Sequence, residues 1–547
     1  AGVIHIITKK GRQNGGFRQT ISAETQRLDW DHFSPPDNWA ACSASAVANE
    51  DNPLCFGQAA GTLVSDNPLE RTNAIQNGSR QSLTWSGQGG GENHSYYLSI
   101  GGDQGEGAFV NNTMNNISTR GNFQFQPRPS LSIDMGMGVV RAETQFPRND
   151  NDIYGWLGGA LLGSPNSLGT SREGWYAPNR QNDAIAAYEN FNTNWRTTPR
   201  LQVNYSPMQW FTNRFTVGAD MSRVEALFFV PKNDNGWYSG VLNTGQIGQA
   251  REAYDRYTFE YMGNIANALT SSLSSDLSFG SQYLWTRRDL TNATGTGLTT
   301  NAANAINQAA QATGGQTFSE EKQLGFFGQW QVGYLDRLYL QLAGRLDTHS
   351  AFGIDADPFF SPKIGASYVI SDEPFFQDAM PALFSTLRLR AAYGTTGRSP
   401  TQGALATYNS SPYAITGGGV GSGVIAEDIG NSTLKPERGT EIEAGFEAGL
   451  FDEALGLEFT YFNKVGRDVI LRRPLPPSDG FSPNQLVNIG EVVNSGIELA
   501  ANARLVTTET FGWDVRFGMN TLHSEVTDLG GVEPYASGWE QWVREGY

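Results

Sequence analysis

Apolar and polar residues alternate one by one along much of this chain. Leu338, Leu340, Leu342 and Leu346 share one parity, and Tyr339, Gln341, Arg345 and Asp347 share the other. Side chains on a strand alternate between faces, so the stretch predicts a strand that is apolar on one side and polar on the other. The pattern recurs. Leu131, Ile133, Met135, Met137 and Val139 interleave with Ser132, Asp134, Gly136 and Gly138. Phe215, Val217, Ala219 and Met221 interleave with Thr216, Gly218, Asp220 and Ser222. The rows Leu455–Tyr461, Ile497–Ala503 and Trp513–Met519 behave in the same way. About 17 such strands are expected, many near 10 residues or longer, which is the pattern of a transmembrane antiparallel β-barrel.

Connection lengths add an asymmetry. Asp336-Arg337 and Asp452-Glu453 separate neighbouring strands tightly, whereas 31–78, 143–195, 230–250, 288–320 and 396–438 read as long loops. Short turns at one end and long loops at the other put the long loops outside the cell. Residues 299–313 are polar and alanine-rich and predict a short helix within a loop. A soluble sandwich would turn its apolar faces inward, with turns every 8–12 residues. The longer strands here, with Gly, Asp, Glu, Arg and Gln on the second parity, favour a membrane barrel.

Composition narrows the partners. Charged residues are 17% of the 547, and the mean hydropathy is -0.40 with 64 glycines. No run of 18 apolar residues occurs, so no transmembrane helix is expected. The net charge of -17 argues against nucleic acid, which needs a cationic face for its phosphates. Cys42 and Cys55 are the two cysteines. They read either as a disulfide closing a short surface loop, worth roughly 3 kcal/mol in an oxidising compartment, or as two unpaired thiols; the disulfide is favoured. No zinc ligand set accompanies them.

Enzyme chemistry finds little purchase. None of His5, His32, His94, His349 and His523 lies in an H-E-x-x-H run, and no G-x-S-x-G occurs. Gly87-Gln88-Gly89-Gly90-Gly91-Glu92 misses the dinucleotide pattern at its last position and reads as a turn. No cofactor or metal is expected. Asn149-Asp150-Asn151-Asp152 offers oxygens to Ca²⁺ but lacks a calcium-loop spacing, and a solvated loop is the preferred reading. Aromatic loop residues Trp156, Trp175, Tyr176, Trp237 and Tyr238 are the candidate ligand contacts, since aromatic faces stack on sugar rings. Loop packing or an interface girdle is the alternative for each.

Several segments resemble a known family. Gly2-Val3-Ile4-His5-Ile6-Ile7-Thr8-Lys9-Lys10-Gly11 is similar to the last plug strand of TonB-dependent outer-membrane receptors. Tyr334–Leu340 with Arg345-Leu346-Asp347-Thr348-His349-Ser350-Ala351-Phe352-Gly353 resembles the barrel signature of their SusC/RagA-like branch. It departs from that signature at Leu338 and His349. Phe360–Ser367, Leu387–Gly397, Leu434–Glu437, Tyr461–Lys464 and Asn488–Leu499 follow in the order of the branch. The resemblance implies residues 1–11 as the end of a plug and 12–547 as the barrel, truncated before its last strands. The whole family barrel holds about 22 strands.

The implied activity is active import of oligosaccharides or oligopeptides across a bacterial outer membrane. The TonB protein supplies energy through an N-terminal region that precedes this sequence, and a SusD-like lipoprotein forms a lid. A siderophore or vitamin receptor is the alternative; a passive porin and a surface-binding barrel are further from the pattern. The start at Ala1, with no initiator Met or signal peptide, reads as a piece of a longer protein.

Overall fold

The computed structural model describes residues 8–29, 37–72, 74–148, 152–176, 186–233, 243–353, 355–380, 383–400, 408–415, 419–426, 429–476, 478, 484–536 and 541–547. Strands dominate. They are β1 (Arg18–Leu28), β2 (Asn38–Ala41), β3 (Leu63–Asp66), β4 (Gly78–Gly90), β5 (His94–Glu106), β6 (Thr113–Arg128), β7 (Leu131–Gln145), β8 (Glu189–Met208), β9 (Phe211–Val230), β10 (Gln246–Thr270), β11 (Leu273–Leu298) and β12 (Ala309–Tyr334). They continue with β13 (Leu338–His349), β14 (Phe359–Val369), β15 (Phe384–Arg398), β16 (Tyr408–Ile415), β17 (Gly419–Ala426), β18 (Glu437–Leu450), β19 (Leu455–Pro474), β20 (Asn484–Thr507), β21 (Gly512–Asn520), β22 (His523–Asp528), β23 (Tyr535–Ala536) and β24 (Trp542–Val543). Eighteen of them hydrogen-bond into one sheet, and β2–β3, β16–β17 and β23–β24 are separate pairs. Among the described residues no helix is long and apolar enough to cross a membrane.

Two compact units divide the chain. The first comprises Ala1–Val203, Thr216–Thr258 and Trp285–Glu320. Here β1, β4, β5, β6 and β7 pair in an antiparallel run. Trp85 lies opposite Ile100, Phe123 opposite Met135 and Gly121 opposite Met137, so one face is a continuous apolar patch. Ser95, Asn122 and Asp134 fall on the other face. Strands β10, β11 and β12 run to 25, 26 and 26 residues, well beyond the roughly 10 that cross a bilayer, and this unit holds their parts 246–258, 285–298 and 309–320.

The second unit comprises Asn204–Phe215, Phe259–Leu284 and Glu321–Tyr547. Its meander runs through β12, β13, β14, β15, β18, β19, β20 and β21. Leu342 pairs with Trp330 on one side and Ile364 on the other, and Arg345 pairs with Phe327 and Ser361. A one-residue slip would exchange the two faces, so the alternation in sequence excludes it, while the sheet chooses among the registers of the right parity. Leu340, Leu342 and Ile364 are about half exposed, as expected of side chains that face lipid.

Both tight turns form, each starting a residue earlier than the pairs Asp336-Arg337 and Asp452-Glu453. Leu335 and Asp336 take φ of 53° and 56° between β12 and β13, and Phe451, Asp452 and Glu453 take 55°, 55° and 62° between β18 and β19. Positive φ at successive residues matches a hairpin turn to the strand twist.

Among the described residues the main sheet holds 18 strands, in line with the expected 17 or so, and six more lie in separate pairs. Two sequence expectations change. The helix expected over 299–313 is only a 3-10 turn at Ile306–Gln308, and from Ala309 onward the chain is strand β12. Tertiary pairing overrides the alanine propensity there. The loop expected over 288–320 accordingly shrinks to 299–308, because β11 and β12 extend into it.

Face assignment predicts the outcome of charge insertion. Leu342→Arg should destabilise the membrane-inserted protein by about 2–4 kcal/mol, whereas Gln341→Arg on the opposite face should change it by less than about 1 kcal/mol. Urea unfolding of protein reconstituted into lipid vesicles measures both.

Candidate functional site

Polar side chains collect on one face of the second unit because many alternate residues of β13, β14, β15, β18 and β19 are polar. Arg345 pairs with Asp347 at 2.8 Å. Arg388 pairs with Glu447 on the neighbouring strand. Arg390 reaches Glu447 at 3.7 Å, Glu458 at 2.9 Å and the Thr460 hydroxyl at 2.6 Å. A recess of about 230 Å³ lies here, lined in part by Gln331, Gln341, Lys363, Arg390, Glu443 and Thr460. Single solvated pairs contribute less than about 1 kcal/mol, so the value of this wall lies in its shape and its hydrogen-bonding variety rather than in stability. It offers donors and acceptors of both signs to polar cargo or to a polar protein surface.

In the first unit the chain before β1 lies on the polar face of β4–β7. The Lys10 ammonium pairs with Asp134 at 2.9 Å, and the Asp134 side chain is only 11% exposed. Asn122 donates to the Lys9 carbonyl at 2.6 Å, and Gln13 donates to Gln126 at 2.9 Å. Backbone bonds from Asn14 to Gly91 and from Gly90 to Gly15 continue the contact. Gly11 is required by close approach: a Cβ there would stand 2.3 Å from the Tyr96 carbonyl oxygen. Lys10 and Asp134 were not singled out from sequence. Alternation assigns Asp134 its face but cannot name a partner 124 residues away.

The two connections flanking β4–β7 fold together as a loop module. Cys42 and Cys55 are joined by a disulfide, with Cα atoms 5.6 Å apart. Asn52, fully buried, donates to the Pro165 carbonyl and accepts from the Leu54 and Cys55 amides. Arg71 pairs with the buried Asp66 at 2.8 Å. A second small core forms where Arg148 pairs with Asp152 at 2.8 Å and lies over the rings of Tyr154 and Tyr188. Burial there pushes the Tyr188 phenol above its ordinary range, with Arg148 pulling the other way.

The candidate aromatic contacts separate. Trp156 and Trp175 are 3% and 1% exposed and meet edge to face at 5.8 Å. They pack with Leu69, Ala74 and Ala160, so they build the module's core and present no ring to solvent. Tyr176, next in sequence to Trp175, is exposed. Trp237 and Tyr238 lie outside the described residues, as do Asn149, Asp150 and Asn151. Asp152 is engaged by Arg148 and by the Tyr154 amide. Among the described residues no three His, Cys, Asp or Glu side chains gather as a metal site.

Two outcomes follow for the module. Trp175→Ala should cost it about 3–5 kcal/mol through the cavity left behind. Cys42→Ser with Cys55→Ser should cost roughly 3 kcal/mol. Both should speed limited proteolysis within 37–72 and 152–176 while leaving the heat-dependent gel shift of the strand scaffold unchanged.

Known proteins share this architecture. The family described as "TonB dependent receptor-like, beta-barrel" matches residues 125–538. TonB-dependent receptor P26 of Formosa agariphila is 25% identical over 475 residues, which cover 81% of this chain and 45% of that protein. TonB-dependent receptor SusC of Bacteroides thetaiotaomicron is 26% identical over 215 residues, 38% of this chain and 21% of that protein. The structure of the RagAB peptide importer in the "closed-closed" state superposes with a TM-score of 0.81 at 18% identity, covering 99% of this chain and 64% of that one. The chain spans about half the length of the curated relatives it matches over most of its sequence. The family and these neighbours are outer-membrane β-barrel receptors and transporters, not enzymes. A two-faced antiparallel sheet of long strands, apolar toward lipid and charged on its other face, is the physical form of this kinship: the chain belongs to the TonB-dependent receptor-like β-barrel family.

Proposed function

We propose that this chain is the barrel part of an energised outer-membrane importer for oligosaccharides or oligopeptides. In this reading residues 1–11 end a plug, 12–547 form the barrel wall and the long connections face outside the cell. TonB supplies the energy, and a SusD-like lipoprotein closes the entrance. The observation that supports it most is the segment before β1. It lies along the polar face of β4–β7 and is tied there by Lys10 to Asp134 and by Asn122 to Lys9. A segment that enters the first strand from the polar side is what a plug inside a lumen requires; a passive pore has no need of it.

The likenesses to SusC and to the RagAB peptide importer favour nutrient polymers over metal chelates as cargo. The polar wall fits such cargo. Arg390, Lys363, Glu443, Gln331 and Gln341 present both signs of charge and neutral amides, which suits hydroxyls, peptide groups and mixed side chains alike. Ligand passage needs no bond making: the plug rearranges under tension and the cargo moves along the wall.

Cells carrying the full-length gene test the reading through uptake of labelled oligosaccharides and oligopeptides. Uptake of one class should disappear when TonB is deleted, and a lipoprotein should co-purify in mild detergent. Asp134→Ala, which leaves the Lys10 ammonium unpaired, should lower uptake several-fold at equal surface level. Uptake that survives loss of TonB would make the protein a passive porin, and a co-purifying iron chelate would make it a siderophore receptor.

A further inference from the structure

The apolar face of the first unit changes character along its strands. On β7 the odd-numbered row runs Ile133, Met135, Met137, Val139 and then Arg141 and Glu143. On β9 it runs Val217, Ala219, Met221 and then Arg223 and Glu225. The change occurs at a common level. The rings of Tyr257 of β10 and Trp285 of β11 lie 5.2 Å apart, tilted by 33°, and next on the same rows come Asp255 and Arg287. Cross-strand contacts tie the charged rows together. Arg141 lies 5.8 Å from the Trp195 ring, Arg223 pairs with Asp255 at 2.7 Å, Arg251 pairs with Glu225 at 2.9 Å and Arg287 lies over Phe318.

Charges on a lipid-facing row are costly within hydrocarbon, so the change marks the upper edge of the apolar band, and the adjoining Tyr257 and Trp285 have the place of an interfacial girdle. Immediately beyond that edge the face holds a cavity of about 390 Å³. Trp195, Arg223, Glu225, Arg251, Asp289 and Gln316 line it. Trp195, Arg223, Glu225, Arg251 and Asp289 belong to the rows that continue the apolar face, the parity opposite to that of Asp134, and the cavity follows directly on the apolar band.

The chemistry of the lining identifies the occupant. Trp195 is half exposed and offers a flat aromatic face. Cross-strand partners hold the guanidinium and carboxylate groups in place: Arg223 by Asp255, Arg251 by Glu225, and Asp289 by the Gln316 amide at 2.9 Å. Cations and carboxylates on this face are in balance, since Arg223 and Arg251 stand beside Glu225 and Asp289, while the Glu252 carboxylate is engaged by Arg288. A site for a bare phosphate would carry an excess of cations; this one offers fixed donors and acceptors beside a stacking surface, as hydroxyl-rich rings require. We propose that the cavity binds the headgroup sugars of an outer-leaflet glycolipid. The protein thereby selects its own lipid shell at this position, a role separate from transport.

The test uses the full-length protein in lipid nanodiscs. The probes are lipopolysaccharide with its core sugars, lipid A without them, and the free core oligosaccharide, with retention read by native mass spectrometry. Core-bearing glycolipid should be retained at least ten-fold more than lipid A. Trp195→Ala should erase the difference, and the free oligosaccharide should compete only weakly because it lacks the membrane anchor. Asp289→Asn, which removes a charge without removing volume, supplies a second variant if Trp195→Ala does not insert. Equal retention of lipid A and core-bearing glycolipid would overturn the proposal. So would undiminished preference in both variants, or competition by free sugar at the same concentration as glycolipid.

Discussion

Backbone hydrogen bonding is the constraint on which the rest depends. A strand in hydrocarbon has no water to satisfy its N–H and C=O groups, so each must pair with a neighbour. The antiparallel ladders supply that pairing. In β18–β19 the partners run without interruption from Arg438 opposite Arg467 to Leu450 opposite Leu455. Once the ladders are in place, the pleat sends alternate side chains to opposite faces, and every residue is assigned either to lipid or to a polar interior. The apolar rows, the charge network and the place of the segment before β1 all follow from that assignment.

The two faces use opposite chemistry for different ends. Leu340, Leu342 and Ile364 need only be apolar, because lipid makes no demand of shape. The other face carries specific pairs such as Arg390 with Glu447 and Glu458, and Lys10 with Asp134. A buried carboxylate such as Asp134 needs a partner, and Lys10 supplies it while holding the entering chain against the wall. Structural demands therefore meet on the polar face and leave the lipid face free to vary within the apolar band.

The loop module obeys a third rule. It has no membrane and no long ladder, so it is stabilised as small secreted folds are: a disulfide, a buried asparagine satisfying loop backbone, and a compact aromatic cluster. Trp156 and Trp175 illustrate why residue type alone misleads. Tryptophan in a long polar loop suits a ligand platform and a loop core equally well, and only the arrangement of Leu69, Ala74 and Ala160 around these two rings assigns them to the core.

Sequence alone determined the fold class, the faces and the tight turns, because each is local. Period-two alternation needs no distant partner, and the hairpin read at Asp336-Arg337 closes within a few residues, with its positive φ one position earlier, at Leu335-Asp336. The family resemblance was legible for the same reason, as short ordered segments along 324–547. Tertiary structure decided what depends on partners far apart in the chain. It ran β12 through Ala309–Thr313, where propensity favoured helix, because cross-strand pairing outweighs a few tenths of a kcal/mol per residue. It also paired Lys10 with Asp134 and placed Trp195 beside Arg141. Alternation says which face a side chain takes; which neighbour it meets there is set by strand order and register, and those exist only in the assembled sheet.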